Sequence, residues 1–368
     1  MNALTIVLFV AGIGLLIGGA EALIRGASRL AVALGISPLI VGLTVVAFGT
    51  SSPELAVTIM AVRSGAAGAD VALGNVVGSN IANVLLILGL SAVVVPLSVA
   101  AQIVRKDLPL LIIVSFIVYL FALDGVINRL EGVILTAGVI GYTIFAIIAS
   151  RRESASIQAE YGEVYGPPHR GIRETFINLV LIGGGLGLLT LGSRWLVDGA
   201  VEFARLLGVS ELIIGLTIVA VGTSLPEIAA SVLAGVRGER DIAVGNIIGS
   251  CLFNLLAVLG TGSVIAPGGI AVPENALAFD LPVMIATSIV CLPIFINGGE
   301  VKRWEGALFL AYYVAYTAYL LLAAMRHALL QLFGIAMIGF VIPLTIITLS
   351  VVLLRELRNR RLVPPERP

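Results

Sequence analysis

The chain contains one segment twice: residues 42–54 read GLTVVAFGTSSPE and residues 215–227 read GLTIVAVGTSLPE, with ten of the thirteen positions identical. Each copy places a glutamate, Glu54 or Glu227, inside a stretch that is otherwise apolar enough to cross a membrane. A carboxylate buried there without a partner costs several kcal/mol or takes up a proton. The sequence therefore predicts that each glutamate has a binding partner.

A proline, Pro53 or Pro226, directly precedes each glutamate. Proline has no N–H and clashes with the carbonyl four residues before it, so we expect the backbone near Gly49 and Gly222 to leave the helical ladder. At membrane depth, free carbonyls are tolerated only where they face protein or a watery cavity. With the adjacent hydroxyls, each copy supplies the oxygen ligands that hard cations such as Ca²⁺ and Na⁺ prefer. These hydroxyls belong to Thr50, Ser51, Thr223 and Ser224.

Composition predicts a polytopic membrane protein. The chain has 368 residues, of which 59% are hydrophobic and 12% charged, and its mean hydropathy is +1.10. Soluble domains carry about twice that share of charge. The net charge of zero gives no indication of nucleic-acid binding. Neither cysteine (Cys251, Cys291) nor histidine (His169, His327) forms a pattern typical of a disulfide framework or a zinc site.

Eleven apolar segments are long enough to be membrane helices. The first is too long, and lacks the basic start, for a cleavable signal peptide, so we expect it to be a permanent span. The segments are residues 3–24, 37–62, 71–98, 108–124, 131–149, 174–197, 210–236, 242–266, 279–297, 304–324 and 330–354.

The basic residues predict an orientation in the cell membrane, with the N-terminus outside and the C-terminus in the cytoplasm. In that orientation 17 of the 22 lysines and arginines lie in cytoplasmic loops or the tail, which leaves 22 − 17 = 5 outside. By the positive-inside rule, the cytoplasmic loops of membrane proteins carry an excess of lysine and arginine. The five are Arg63, Arg129, Arg194, Arg205 and Arg326.

The repeat extends beyond the first motif. GNVVGSNIAN at 74–83 recurs as GNIIGSCLFN at 245–254, and RLEG at 129–132 recurs as RWEG at 303–306. Five helices per copy is an odd number, so the second copy enters the membrane from the opposite side. We therefore predict an all-α fold of two inverted five-helix repeats, with one extra C-terminal helix. The predicted regions are a first repeat over 1–149, a cytoplasmic linker over 150–173, a second repeat over 174–324, and the extra helix with a basic tail over 325–368.

The second repeated motif carries polar residues at intervals of four, which places them on one helical face. Such residues in a bundle often serve as interhelical hydrogen bonds. Their occurrence about twenty residues after each proline break favours a role as ligands instead. They are Asn75, Ser79 and Asn83 in the first copy and Asn246, Ser250 and Asn254 in the second.

These motifs closely resemble those of the cation/Ca²⁺ exchanger superfamily, in particular the prokaryotic sodium/calcium antiporters. The resemblance covers about residues 10–324 and implies a ten-helix core whose second, third, seventh and eighth helices bind the ions at mid-membrane. It also implies that the first and sixth helices slide across this core; their glycines are Gly12, Gly14, Gly18, Gly19, Gly183, Gly184, Gly185 and Gly187. The implied ligands are the carbonyls of Ala47 and Ala220 and the side chains of Thr50, Ser51, Glu54, Ser79, Asn83, Thr223, Ser224, Glu227, Ser250 and Asn254, with Glu54, Glu227, Thr50 and Thr223 on the metal.

Asn254 departs from the family pattern, because many members carry an aspartate there. Two carboxylates then remain, which gives a site of charge −2 and leaves the ion ratio and the dependence on K⁺ open. Two glutamates that face one site repel each other, so protons are plausible competitors. The function expected is exchange of Ca²⁺ for Na⁺, with Ca²⁺/H⁺ exchange as the alternative.

Two other classes of membrane protein also place carboxylates at mid-membrane. An intramembrane protease would need histidines for a metal or a Ser/Lys pair, and neither histidine lies in a predicted span. A channel shares the ligand chemistry, but inverted repeats with one pooled site favour alternating access. We expect no enzyme activity, no cofactor and no obligatory protein partner; the expected partners are the transported ions and the lipid bilayer.

Overall fold

The computed structural model describes residues 3–64, 66–165 and 172–362, and these form a bundle of membrane-length helices. Nine helices there are long and apolar enough to cross a membrane, and two further pairs of shorter helices are bent. The spans are α1 (Leu4–Leu34), α2 with α3 (Pro38–Thr50, Ser52–Arg63), α4 (Asp70–Val94), α5 (Ile103–Asp124), α6 (Arg129–Ile148), α7 (Arg173–Leu206), α8 with α9 (Gly215–Gly222, Leu225–Val236), α10 (Arg240–Ile265), α11 (Ala276–Ile296), α12 (Arg303–Ala324) and α13 (Leu329–Leu354).

The two bent pairs coincide with the duplicated motif. The axis turns by 41° between α2 and α3 and by 56° between α8 and α9. Pro53 and Pro226 lie in the first turns of α3 and α9, where a missing N–H leaves no bond unmade. Counted as one span each, the bent pairs bring the total to eleven, and the predicted polytopic all-α fold is confirmed.

Three predicted boundaries differ from the structure. Helices α1 and α7 continue to Leu34 and Leu206, about ten residues beyond the apolar cores from which they were predicted. The helix that contains α6 continues to Tyr165, into the segment predicted as linker, because residues 150–160 contain no glycine or proline to stop it. The rest of the predicted linker, residues 166–171, and the tail beyond residue 362 lie outside the described residues.

Helices α1 and α7 pack as a close pair through glycines. A Cβ on Gly19 would lie 2.8 Å from the carbonyl oxygen of Gly185, and a Cβ on Gly185 would lie 2.7 Å from that of Gly19. Gly12 and Gly192 make the same reciprocal approach at 2.9 and 2.8 Å. Any larger residue would separate the backbones, as expected for small residues at membrane helix contacts. The other predicted glycines of this pair have no atom within 4 Å of such a Cβ; they are Gly14, Gly18, Gly183, Gly184 and Gly187.

Helices α4 and α10 form the centre of the bundle: 78% and 94% of the residues in their apolar 18-residue stretches are buried, against 6% in the corresponding stretch of α13. Two short antiparallel ribbons join the repeats at the helix ends: β1 (Leu97–Ser98) pairs with β4 (Glu300–Val301), and β2 (Val126–Ile127) pairs with β3 (Ile270–Ala271). β1 and β2 lie at opposite ends of α5. In the chain, β3 follows α10 just as β1 follows α4, but β3 pairs with β2 and not with β1. Because β1 and β2 lie at opposite ends of α5, corresponding segments of the two repeats lie at opposite ends of the bundle.

Acidic residues at the helix ends are more buried than the sequence suggests. Asp107 and Glu305 lie near helix ends, where a charged side chain could reach water, but both are buried. Asp107 accepts a hydrogen bond from the Tyr142 hydroxyl at 3.0 Å, and Glu305 accepts from the Asn297 amide at 3.0 Å. Polar partners from other segments make this burial possible.

Candidate functional site

The two glutamates of the duplicated motif lie where the bent helices break. Glu54 is in the first turn of α3 and Glu227 is in the first turn of α9, and their exposed fractions are 1% and 2%. A helix N-terminus carries partial positive charge, which favours a carboxylate in the first turn. The proline break therefore creates, deep in the membrane, the position at which each acid is best tolerated.

The residues on the predicted polar faces of α4 and α10 are buried as well. Ser79 and Asn83 lie on α4, and Ser250 and Asn254 lie on α10. A π-helical turn begins at each of the two asparagines, and such turns inside α-helices are frequent at functional sites.

Hydrogen bonds connect the motif of one repeat with residues of the other. The Ser51 hydroxyl donates to a carboxyl oxygen of Glu227 at 3.3 Å. The Thr50 hydroxyl donates to the amide oxygen of Asn246 at 3.1 Å and lies 3.5 Å from the Ser250 hydroxyl. Side chains separated by about 170 to 200 positions in the sequence thus meet in one buried cluster.

Many oxygens of this cluster have no hydrogen bond to another described residue. They include both carboxyl oxygens of Glu54, the second carboxyl oxygen of Glu227 and the amide oxygens of Asn83 and Asn254. The two carboxylates are close enough to repel each other electrostatically. Native proteins rarely leave such groups unsatisfied. Carboxylate, amide and hydroxyl oxygens together make up a ligand set for a hard cation.

The two repeats contribute their backbone and hydroxyl groups differently. The Ala47 carbonyl accepts a hydrogen bond from the Ser51 N–H at 3.0 Å, as in a regular helical turn. In the second repeat the Ser224 N–H bonds to the Val221 carbonyl instead, and the partly exposed Thr223 hydroxyl lies 3.5 Å from the Ala220 carbonyl. The structure therefore joins Thr50 and Ser51 of the first repeat to side chains of the second repeat, whereas Thr223 makes no such bond to the described residues of the first repeat.

The ligand set implied by the family resemblance omits Asn75 and Asn246, although the polar-face pattern included both. The structure places hydrogen bonds of Asn75 on Glu54 and of Asn246 on Thr50. The Asn75 amide donates to the Glu54 carbonyl at 3.1 Å and to the Thr58 hydroxyl at 3.0 Å, and the Asn246 amide donates to the Ser231 hydroxyl at 2.9 Å. Their place on the polar helical face was the available signal. The sequence could not show which partners they contact, because those partners lie on other helices.

The chain matches a family model and known membrane proteins over most of its length. The family model described as "Sodium/calcium exchanger protein" matches residues 4–148 and 177–322. The sodium/calcium exchanger MaX1 of Methanosarcina acetivorans is 32% identical over 350 residues, which cover 86% of this chain and 98% of that protein. The inner membrane protein YrbG of Escherichia coli is 40% identical over 77% of this chain and 86% of its own length.

A solved structure shows the same architecture. The sodium-calcium exchanger NCX_Mj, in crystals soaked with zero Na⁺ and Ca²⁺, superposes with a TM-score of 0.74 and 29% identity over 87% of this chain and 100% of the other. Both halves of the chain match the family model, and 87% of the chain superposes on a sodium-calcium exchanger structure. The chain is a multi-pass membrane transporter rather than an enzyme, and it belongs to the sodium/calcium exchanger family.

Proposed function

We propose that this protein exchanges Ca²⁺ for Na⁺ by alternating access, with the ions bound between the two bent helix pairs. The observation that carries the proposal is the buried pair of carboxylates, Glu54 and Glu227, whose free oxygens lie among amides and hydroxyls from both repeats. The names of the exchanger relatives support Ca²⁺ and Na⁺ as the transported ions.

The charge of the cluster suits one divalent cation. Two carboxylates give −2, which one Ca²⁺ neutralises, and the neutral amide of Asn254 adds an oxygen without charge. When Na⁺ replaces Ca²⁺, hydroxyl and carbonyl oxygens can bind these singly charged ions. The proposed ligand set is Ala47, Thr50, Ser51, Glu54, Ser79, Asn83, Ala220, Thr223, Ser224, Glu227, Ser250 and Asn254.

The distribution of basic residues supports an orientation in the cell membrane with the N-terminus outside. In that orientation α8 begins at the external face. Residues of α8 are partly exposed, whereas those of its counterpart α2 are largely buried. The looser packing of α8 supports a conformation that is open to the outside. We assign transport to residues 1–149 and 174–324, and an accessory role to residues 325–368.

Exchange of Ca²⁺ for H⁺ is the second candidate. The electrostatic repulsion between Glu54 and Glu227 favours it, because a proton on either acid relieves that repulsion once Ca²⁺ leaves.

Reconstituted liposomes separate the two functions. We expect ⁴⁵Ca²⁺ to enter vesicles when a Na⁺ gradient is imposed and an ionophore collapses the proton gradient. The control replaces internal Na⁺ by choline and should give no uptake. Uptake that follows the proton gradient and ignores Na⁺ would replace the first candidate by the second, and uptake with neither gradient would exclude exchange.

A further inference from the structure

A polar contact is buried between α2 and α10. The Thr50 hydroxyl donates to Asn246 at 3.1 Å, and the Asn246 amide donates to the Ser231 hydroxyl at 2.9 Å; none of the three side chains is exposed. Asn246 offers the nearer acceptor for the Thr50 hydroxyl, since the Ala47 carbonyl lies at 3.4 Å. A hydrogen bond donated to Asn246 leaves the lone pairs of the Thr50 oxygen available to a cation.

The equivalent contact of the other repeat is not made. When the two repeats are aligned, Asn75 corresponds to Asn246 and Thr223 corresponds to Thr50. Asn75 keeps the bond within its own repeat, to the Thr58 hydroxyl, as Asn246 does to Ser231. The Thr223 hydroxyl lies 3.5 Å from the Ala220 carbonyl, as the Thr50 hydroxyl lies 3.4 Å from the Ala47 carbonyl. Unlike Thr50 with Asn246, however, Thr223 has no hydrogen bond to Asn75.

Helix packing shows the same difference. A Cβ on Gly249 would lie 2.6 Å from the Leu43 carbonyl oxygen, and a Cβ on Gly245 would lie 2.8 Å from the Leu39 carbonyl oxygen. The corresponding glycines of α4, Gly74 and Gly78, have no atom within 4 Å of such a Cβ. Thus α10 packs directly against α2, whereas the matching surface of α4 is not in close contact with α8. Glycines at both places leave room for either contact to close.

Given alternating access, on which this inference rests, we propose that Asn246 and Asn75 are state-specific positioning residues. Asn246 holds Thr50 in the conformation described here. Asn75 takes the Thr223 hydroxyl in the oppositely facing conformation, in which α8 closes against α4 and α2 separates from α10. Each asparagine thereby stabilises one conformation and orients one threonine hydroxyl, while its bond to Thr58 or Ser231 persists in both.

Removing either asparagine has opposite consequences for the two conformations. Loss of one buried neutral hydrogen bond changes an equilibrium by roughly two- to tenfold. Asn246→Ala should shift the conformational ratio by that factor away from the present state, and Asn75→Ala should shift it toward the present state. A merely structural role would not reverse sign between the two variants.

Cysteine reporters measure the ratio without any transport. Thr217→Cys on α8 is partly exposed in the present conformation, and its counterpart Thr44→Cys on α2 is buried. Both native cysteines, Cys251 and Cys291, are buried, so background labelling by a maleimide is low. Labelling rates are measured in detergent without Ca²⁺ or Na⁺. Because each rate follows the fraction of protein in which the cysteine is exposed, the reporter of the less populated conformation shows the full change in the ratio of the two conformations.

We expect Asn246→Ala to slow labelling at position 217 and hasten it at position 44, and Asn75→Ala to do the reverse. Thr50→Val removes the other end of the same bond, so it should act as Asn246→Ala does, and the double variant should show no further change. Ser231→Ala is the matched control and should leave the ratio of the two rates unchanged. Equal rates in all variants, or a change of the same sign for both asparagines, would overturn the proposal. Because no ion flux is read, a failure of Ca²⁺/Na⁺ exchange would appear only in the liposome assay.

Discussion

Replacing Glu54 by glutamine should change ion-free and Ca²⁺-bound stability in opposite directions. In the ion-free protein the carboxylates of Glu54 and Glu227 repel each other, and Glu54 has no bond to another described side chain. Glutamine has nearly the same shape without the charge, so Glu54→Gln should raise the thermal midpoint in the presence of a chelator. Simple damage to the fold would lower it.

The effect on Ca²⁺ binding follows from the burial of the site. Removing one partner of a buried charge pair costs about 3–5 kcal/mol, which is roughly two to three and a half orders of magnitude in Kd. At a Ca²⁺ concentration about 100 times the wild-type Kd, the wild type gains about 2.7 kcal/mol from binding. A variant whose Kd is raised at least about 100-fold gains about 0.4 kcal/mol or less.

The assay is thermal unfolding in detergent, followed by intrinsic fluorescence with chelator and with added Ca²⁺. Glu274→Gln is the matched control, because this glutamate is exposed and precedes α11 outside the site. The control should keep the full Ca²⁺-dependent shift. A Glu54→Gln protein that is stabilised by Ca²⁺ as strongly as the wild type would refute a site built on two carboxylates.

Three further changes have distinct expected outcomes. Asn254→Asp adds a third carboxylate, so Ca²⁺ exchange should persist but fall faster as the pH is lowered between about 9 and 6; superimposable flux profiles would show that this position does not face the ions, and Asn254→Leu should be less active than either. Truncation after Arg326 removes α13, which is only 6% buried, so flux should be retained in well-expressed protein; loss of exchange would assign α13 a part in transport. Burial raises the pKa of Glu239, in the turn between α9 and α10, so unfolding releases a proton and this residue lowers stability as the pH rises past its unfolded pKa. Glu239→Gln should therefore raise the thermal midpoint more at about pH 8 than at about pH 5, and equal shifts at the two pH values would contradict this.

The sequence predicts the helices and the breaks well because both depend on local features. Apolar length predicts the spans, and Pro53 and Pro226 predict the bends. Helices α1 and α7 exceed their apolar cores because their ends contain charged residues that hydropathy alone would exclude, such as Arg25, Arg29 and Arg205. Arg25, for example, is paired with Glu21 on the same helix at 2.6 Å, and Glu21 is also paired with Arg237 at the end of α9 at 2.9 Å.

The sequence predicts much less of the site's geometry. Thr50 and Thr223 occupy identical positions in nearly identical motifs, yet the first is fully buried and the second partly exposed. Under the proposed alternating access, that difference distinguishes one of two conformations from the other, and no local sequence pattern encodes it. The partners of Asn246 and Asp107 were likewise beyond prediction, because Thr50 and Tyr142 meet them only through tertiary packing.

The most direct test of a two-carboxylate site shared by Ca²⁺ and Na⁺ is competition binding of ⁴⁵Ca²⁺ to the purified protein in detergent at constant pH and ionic strength. The structure predicts one saturable Ca²⁺ per chain, displaced by Na⁺ but not by choline, and absent when Glu54 and Glu227 are both changed to glutamine. Saturable Ca²⁺ binding that ignores Na⁺, or that survives in the double glutamine variant, would contradict it.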